Sequence, residues 1–569
     1  MLKQQILEDL KKVVSDLGYE STDIVLSIPK NSFFGDYTTN LALQLAKLKL
    51  DNNKQSSIEI ANKIVEKMKY FGFAQDNFDE IKIAGEGFIN FFIKDKELLK
   101  NAFDLDLLQK EEHTRKILVE YGHVNPLKEI HIGHLRTFIL GESLSRAFEA
   151  LGNTVFRANY QGDIGLHIAK AIWGIKESGL PANQLTHAQR ATVLGQAYVK
   201  GNIAYEENQG IKKKIDQINV ALYKKDPRLK EIYTLTRNWS LEYFEPIYDL
   251  LGIKYDRCFF ESEVYEQGKK IVEEYLGSSR EAGKVFEKNQ GAVIFKGDKY
   301  GLQTRVFITS AGNATYEGKE IGLAQLEYDS FNYDQSIHVV ASEQEGYFQV
   351  CFKAIDMIFP YLNNKKYHLS YGLVDLKEGK MSSREGNIVS VDDLIHIVSE
   401  KVREVMKVSR ITIDQEIVRK VALGAIKFAY LKFSPRPNIV FDLEQSVSLQ
   451  GDSGPYLQYT YARIQSVLKK SQKNTENFNV DLSLDKNERE LLRQLLYFQD
   501  TLEEVAKTLH PNLLAVYLIE LARLYNLFYQ QFRIIGSEKE AFRLKISAEV
   551  GKVLKKGLNL LGIEELEKM

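Results

Sequence analysis

Apolar residues recur along this chain with two rhythms. Leu2, Ile6, Leu10, Val13, Val14 and Leu17 fall at helical spacing among charges, so an amphipathic helix opens the chain. Helical periods fill the first two thirds of residues 1–105, and a strand-like run, IKIAGEGFINFFI, follows around Gly85 and Gly87. KILVEY then reads as a buried strand ending in a polar turn. HIGHLRTFILGESLSRAFEALG returns to helical period through Leu135, Ile139, Leu140, Leu144, Phe148 and Leu151, and NTVFRANY is another strand. Strand, glycine turn, helix, strand is a βαβ unit. It predicts a parallel sheet with ligands at the carboxyl ends of its strands.

Residues from about 165 to 300 are mostly helical and charged and read as an insertion in that sheet; SIHVVAS and HLSYGLV resume the strands. From about 411 the pattern is almost entirely helical, which predicts a helix bundle. The expected organisation is an N-terminal α/β domain (1–105), a Rossmann-type doubly wound α/β domain with helical insertions (106–410) and an all-α domain (411–569).

Composition narrows the function less than the pattern does. A chain of 569 residues exceeds one typical core. A net charge of -1 gives no global basic signal, although local patches could still bind nucleic acid. The two cysteines, Cys258 and Cys351, are too few and too far apart for a zinc ribbon or a disulfide framework. They suit a reducing cytoplasm. The N-terminal helix carries charges throughout, unlike a signal peptide, and no apolar run is long enough to span a membrane. A cytoplasmic monomer is expected.

Two short stretches carry candidate chemistry. His131-Ile132-Gly133-His134 puts two imidazoles three apart with a glycine between them. They could share a metal on one helix face, but the H-E-x-x-H spacing is absent. Alternatively, the glycine lets a nucleotide approach a strand-to-helix turn whose imidazoles and helix N-terminus face phosphate. The second stretch, Lys380-Met381-Ser382-Ser383-Arg384, lies in a glycine-bounded loop and suits a clamp on polyphosphate.

The two stretches in this order resemble the class I aminoacyl-tRNA synthetases. The whole chain is similar to the arginyl-tRNA synthetase family, through GDYTTNLALQLAK, GEGFINFF, VEYGHVNPLKEIHIGHLR, YQGDIGLH, ATYEGKEIGL, HVVASEQEGYF, KMSSREGN, GAIKFAYLKFSPR and GPYLQYTYAR. The resemblance implies an enzyme that joins L-arginine to tRNA(Arg) through an arginyl-adenylate made from ATP with bound Mg²⁺; no dedicated protein metal site is expected. His131 and His134 would hydrogen-bond the phosphates, with Gly133 opening the turn, and Lys380, Met381, Ser382 and Ser383 would meet ATP. Ser383 stands where the class usually has a second, critical lysine. In many arginyl enzymes a lysine just before the HIGH turn compensates, and Lys128 occupies that position.

For the amino acid, the resemblance assigns Glu120 and Asn125 to the α-amino and carboxyl groups, Gln344 near the α-amino group, and Tyr316 with Glu320 to the guanidinium. Glu320 replaces the usual Asp, His123-Val124 the usual Ser-Pro, and Ile164 a frequent Trp. It also assigns tRNA contacts to Phe88 and Asn90 at the elbow, and to Tyr456, Tyr459, Arg463 and Met569 at the anticodon. Tyr525, Phe528, Tyr529 and Phe532 form a further stripe that suits core packing as well as binding. Other readings are another class I synthetase, a nucleotidyltransferase that uses no tRNA, or a tRNA-binding module without chemistry. Too few cysteines oppose a zinc-dependent cysteine enzyme, Glu320 opposes a glutamate enzyme, the helical bundle opposes the transferase, and the paired histidines oppose an inert module.

Overall fold

The computed structural model describes residues 2–568 apart from 20–22, 30, 48–55, 71, 104–107, 109, 111–113, 180–184, 277–283, 378–388, 410–412 and 472–482. Its centre is a five-stranded sheet of β1 (Lys116–Glu120), β2 (Thr154–Gln161), β3 (Arg257–Phe260), β4 (Gln335–Ala341) and β5 (Lys366–Tyr371). The order is β5-β4-β1-β2-β3 and every pairing is parallel. The chain leaves β1 through helix α1 (Ile132–Ala150) and steps to β2 and β3; it later returns to the other side of β1 with β4 and β5. The order therefore reverses between β1 and β4, and a crevice opens at their carboxyl ends. Glu120, the last residue of β1, lies opposite His338 of β4.

The segment read as an insertion is helical at Leu166–Ser178, His187–Glu207, Gln209–Tyr223 and Pro227–Leu251, with a core of its own around Ile172, Leu194, Ile215 and Leu222. It also contains β3, a strand of the main sheet that four residues of RCFF were too few to reveal by periodicity. A three-stranded antiparallel sheet follows at 287–308. Helix α2 (Tyr316–Ser330) then leads into β4.

At the N-terminus the strand-like run folds as a hairpin, Phe78–Ala84 against Phe88–Ile93, turning at Gly85 and Gly87, both with positive φ. Two further strands, Leu26–Ser27 and Tyr37–Thr39, lie within the stretch that reads as helical; they are too short to carry a rhythm. This unit is seated on the C-terminal bundle by the buried Asp36. Its carboxylate accepts from Arg489 at 3.0 and 3.1 Å and pairs with Arg493 at 3.1 Å. The bundle comprises α3 (Gln415–Leu431), α4 (Gly454–Lys470), the helices Lys486–Leu496 and Phe498–Thr508, α5 (Asn512–Gln531) and Glu540–Leu560. Among the described residues, no helix is long and apolar enough to cross a membrane.

Candidate active site

The HIGH turn is a capping box built from imidazoles. His131 is the N-cap of α1 with extended backbone, and its Nδ1 accepts the Gly133 N–H at 3.1 Å; His134 Nδ1 accepts the His131 N–H at 3.2 Å. With both Nδ1 atoms accepting, each neutral ring carries its proton on Nε2. Burial, then the neighbouring Lys128 ammonium, lowers the pKa of His131; burial, His131 and Lys128 bring His134 to about 3. Both rings are therefore neutral donors at pH 7, lying against each other with centroids 3.7 Å apart. A Cβ on Gly133 would stand 3.0–3.1 Å from the His131 ring, so glycine lets that ring fold onto the helix end. Two donors at the positive end of a 19-residue helix suit an anion. The metal reading is weakened, because the remaining nitrogen of each neutral ring, Nε2, carries the proton and has no lone pair for a metal.

These residues open onto a cleft of about 1170 Å³, lined by His123, Asn125, Lys128, His131 and His134 and, from the inserted helices, by Trp173 and Tyr198. Trp173 thus reaches the cleft while Ile164 is buried. The Lys128 ammonium lies 5.4 Å from the Tyr198 ring centroid, and partial desolvation lowers its pKa.

Lys380, Met381, Ser382 and Ser383 lie outside the described residues. The chain that follows this stretch is fastened to the HIGH turn: the Ile132 N–H donates to the Val389 carbonyl at 3.2 Å and the Val391 N–H to the Ile130 carbonyl at 3.1 Å. The chain that precedes the stretch, Val374–Leu376, pairs with Ile439–Phe441. Arg136, buried in α1, donates to the carbonyls of Ser434, Pro435 and Pro437 at 3.2, 2.6 and 3.0 Å. One helix therefore anchors both approaches to the stretch.

One contact deeper than His123 lies a buried acidic group. Glu120 Oε1 is 3.7 Å from His123 Nδ1 and 3.0 Å from His338 Nδ1, while its Oε2 has no hydrogen-bond partner. Glu320 is 3% exposed; its Oε2 accepts from the Tyr347 hydroxyl at 3.1 Å and its Oε1 has no partner. Burial, then the Glu120 charge, pushes the Glu320 pKa well above the usual carboxylate range. Tyr316 begins α2 and is 59% exposed, one turn before Glu320. Gln344 is exposed at the end of the short turn after β4. Asn125 Oδ1 accepts the Gly162 N–H at 2.8 Å, which leaves its amide as a donor at the cleft.

Four residues here escape a reading by motif. Glu261, the first residue of the helix that follows β3, forms a buried pair with Lys319 at 2.6 Å, and its Oε1 stands 3.1 Å from a Cβ built on Gly162. Tyr347 supports Glu320 and His338 supports Glu120. Only His338 carried a signal, as a polar residue inside the apolar strand SIHVVAS. Glu120, His338 and the buried Glu327 also place three potential metal ligands within 4.8 Å of one another, but the Lys366 ammonium already stands 3.1 Å from Glu327 and 3.4 Å from His338 Nε2.

Far from this cleft, a groove of about 840 Å³ runs along α4 and α5, lined by Tyr459, Arg463, Lys469, Lys470, Tyr529 and Arg533 among others. The Arg463 guanidinium lies 4.8 Å from the Tyr459 centroid and 5.2 Å from that of Tyr529. Tyr456 does not line the groove; its hydroxyl accepts from Asn526 at 3.0 Å. The second aromatic stripe divides: Tyr525 and Phe528 are core, while Tyr529 and Phe532 line the groove. Met569 lies outside the described residues. In the N-terminal hairpin Phe88 is 42% exposed, but Asn90 is turned inward and its Oδ1 accepts from Thr38 Oγ1 at 2.6 Å. Asn90 is 4% exposed, so its amide is engaged within the hairpin.

Three family models cover most of the chain: the arginyl tRNA synthetase N-terminal domain at residues 1–93, the class I (R) tRNA synthetase catalytic domain at 96–443 and the DALR anticodon-binding domain at 457–569. The arginine–tRNA ligase of Bacteroides thetaiotaomicron is 31% identical over 91% of this chain and 92% of its own length; that of Borrelia hermsii is 29% identical over the whole of both. The fold matches the Thermus thermophilus arginyl-tRNA synthetase structure (TM-score 0.85, 24% identity, all of both chains) and the Plasmodium falciparum one (TM-score 0.81, 23% identity, 100% and 99%). On the matched models and relatives, with the fold in agreement, this chain belongs to the arginyl-tRNA synthetase family of class I aminoacyl-tRNA synthetases.

Proposed function

We propose that the protein joins L-arginine to tRNA(Arg), with ATP and its bound Mg²⁺ as co-substrate. One observation carries the reading: a turn offering two neutral imidazole donors lies beside a buried group of carboxylates with unpartnered oxygens. The first suits phosphate; the second suits a cationic amino acid. In the first step the arginine carboxylate attacks the α-phosphorus, a C–O–P link forms and diphosphate leaves. His131 and His134 would donate from Nε2 to the phosphate oxygens, and Lys128 would supply the charge that Ser383 lacks. Such catalysis is positioning and charge stabilisation, needing no proton transfer from the protein.

Glu320 would pair with the guanidinium, Tyr316 would close over it, and Glu120 and Gln344 would hold the α-ammonium, with Asn125 donating to the carboxylate. In the second step the terminal ribose hydroxyl of tRNA attacks the activated carbonyl and AMP leaves. The cationic, aromatic groove of α4 and α5 would take anticodon bases, with Tyr459 stacking. Without a loop lysine at 383, the free site is underpowered, so arginine activation should require tRNA. The reading takes the chain to act as a cytoplasmic monomer, which light scattering and fractionation check. ATP–diphosphate exchange with each amino acid, with and without tRNA(Arg), tests the whole: exchange with arginine alone and only with tRNA is expected. Exchange with another amino acid would overturn the substrate, and brisk exchange without tRNA would overturn the dependence.

A further inference from the structure

The acidic group behind the cleft contains more charge than its assigned residues explain. Three buried carboxylates, Glu120, Glu320 and Glu327, each keep one oxygen that no donor group reaches, and Glu120 and Glu327 lie close enough to hydrogen-bond each other through a shared proton. Glu320 and Glu327 are seven apart on α2, which puts them on one face, and Glu120 ends β1. The cation among them is Lys366 of β5, paired with Glu327 at 3.1 Å, both essentially fully buried. His338 links the ends: Nδ1 to Glu120 at 3.0 Å, Nε2 to Ser336 Oγ at 3.0 Å and to Lys366 at 3.4 Å. Burial drives the His338 pKa well below its ordinary value, so it adds no charge. Three ionised carboxylates with one lysine leave two negative charges in a dry interior. That equals the guanidinium and α-ammonium of one free arginine.

Resting on the reading above, we propose that Glu327 and Lys366 are specificity-determining positioning residues: together they set the charge of the amino-acid pocket at two negatives, and the pocket holds protons that arginine displaces. Neither residue needs to touch arginine. Lys366 favours ionisation of Glu120 and Glu320, and Glu327 neutralises Lys366 so that it does not repel the substrate. Without arginine, buried carboxylates facing one another are held partly as acids. Burial raises Glu120 and Glu320, and Glu327 reaches about 7. The other groups around them are His123 against Glu120, His368 near His338, Tyr333 beside Lys366 and, about Glu320, Tyr160, Tyr347 and Cys351, all neutral at pH 7. A bound cation stabilises the ionised forms, so protons leave as arginine binds, and affinity should climb with pH through about 7.

Calorimetry on the intact wild-type protein tests this without a variant. Arginine titrated at pH 7 in phosphate and in Tris should give heats that differ by the buffers' protonation enthalpies, for a release of about one proton. Buffer-independent heats would overturn the proposal, whereas absence of arginine binding or of arginine-dependent exchange would overturn the function on which it rests. Variants then separate charge from structure. Lys366→Met and Glu327→Gln should each raise the arginine KM about tenfold or more at pH 7 and leave the ATP KM alone. Lys366→Met should show the steeper pH dependence. The double variant restores two negatives and should return the arginine KM to within a few-fold of wild type. A double variant as poor as the product of the two singles, or equal shifts in both KM values, would reduce the pair to a structural ion pair and overturn the proposal.

Discussion

The cleft at the head of α1 and the groove between α4 and α5 are both lined for anionic ligands, yet they are built in opposite ways. In the cleft, backbone N–H groups fix two neutral imidazoles, and the charges behind them are buried and paired between helix α2 and strand β5. In the groove, Arg463 lies between two tyrosine rings and the lysines beside it are exposed. Preorganised donors in a poorly solvated site favour one geometry, which is what bond making requires. Stacked planes and mobile cations accept many bases, which is what holding a flexible strand requires. On the proposed function, buried charge serves the chemistry and surface charge serves the binding. Substitutions in the cleft should therefore cost rate, and substitutions in the groove affinity.

The comparison is broken most severely at Glu320. Glu320→Gln keeps the size of the side chain and removes its charge. A guanidinium stranded in a buried site typically costs ~3–5 kcal/mol, so arginine kcat/KM should fall more than a hundredfold. Stability should move the other way. The folded-state pKa of Glu320 lies above its unfolded value, so the folded protein holds the extra proton. Its contribution is fully present below about pH 4.5 and is lost as pH rises through the folded pKa. Glutamine cannot lose that proton. Above neutral pH the variant should therefore melt no lower than wild type in the absence of arginine. A kinetic effect of only a few-fold would remove Glu320 from the arginine pocket.

Lys128 sharpens the comparison, because it is an exposed charge in the cleft. Lys128→Ala should slow arginyl-adenylate formation about a hundredfold, near ~3 kcal/mol, and leave the melting temperature unchanged. Ser383→Lys should restore part of the loss. A rate equal to wild type would make Lys128 an ordinary solvated lysine resting on Tyr198.

In the groove, Tyr459→Ala should weaken tRNA(Arg) binding by ~1–3 kcal/mol with little change in stability, since its ring lies at the groove wall. Tyr525→Ala, one buried layer away, should do the reverse, because its ring is fully enclosed. Filter binding and thermal melting on both proteins decide whether groove and core are as separate as their exposure says.

How much of this was readable beforehand depended on how local the physics is. The β1-turn-α1-β2 unit was legible, since periodicity, a glycine and a cap all lie within about fifty residues of sequence. Strand β3 was not: four residues carry no rhythm, and pairing with β2 is what makes them a strand. His131 and His134 marked a turn that suits either a metal or phosphate, but that both spend Nδ1 on the backbone is visible only in the folded cap. Glu120 and Glu320 entered through resemblance, because carboxylates 200 positions apart have no spacing to read. Lys366 and Glu327, 39 residues apart, have no spacing to join them, and only the fold, with α2 beside β5, buries them together. The burial of Asn90 was hidden for the same reason: its neighbour Thr38 comes from a strand too short to predict.

The smallest effects fall on that hairpin and divide the comparison most finely. Phe88 is an exposed aromatic two positions from an inward-facing amide. Phe88→Ala should leave stability within about 0.5 kcal/mol, as surface changes usually do. If the ring meets the tRNA elbow, kcat/KM for tRNA should fall by under about tenfold, less than for a stacked anticodon contact, while tRNA-independent properties such as arginine proton release stay fixed. Asn90→Ala should behave as a core change: the buried amide is lost and the half-buried Thr38 hydroxyl loses its acceptor, which costs about 1 kcal/mol. Its tRNA kinetics should follow only its lower melting temperature, and should recover on cooling below the transition. If instead Asn90→Ala melts like wild type and loses tRNA affinity, the amide must leave Thr38 for tRNA, and the hairpin would join the groove as a surface that rearranges to bind.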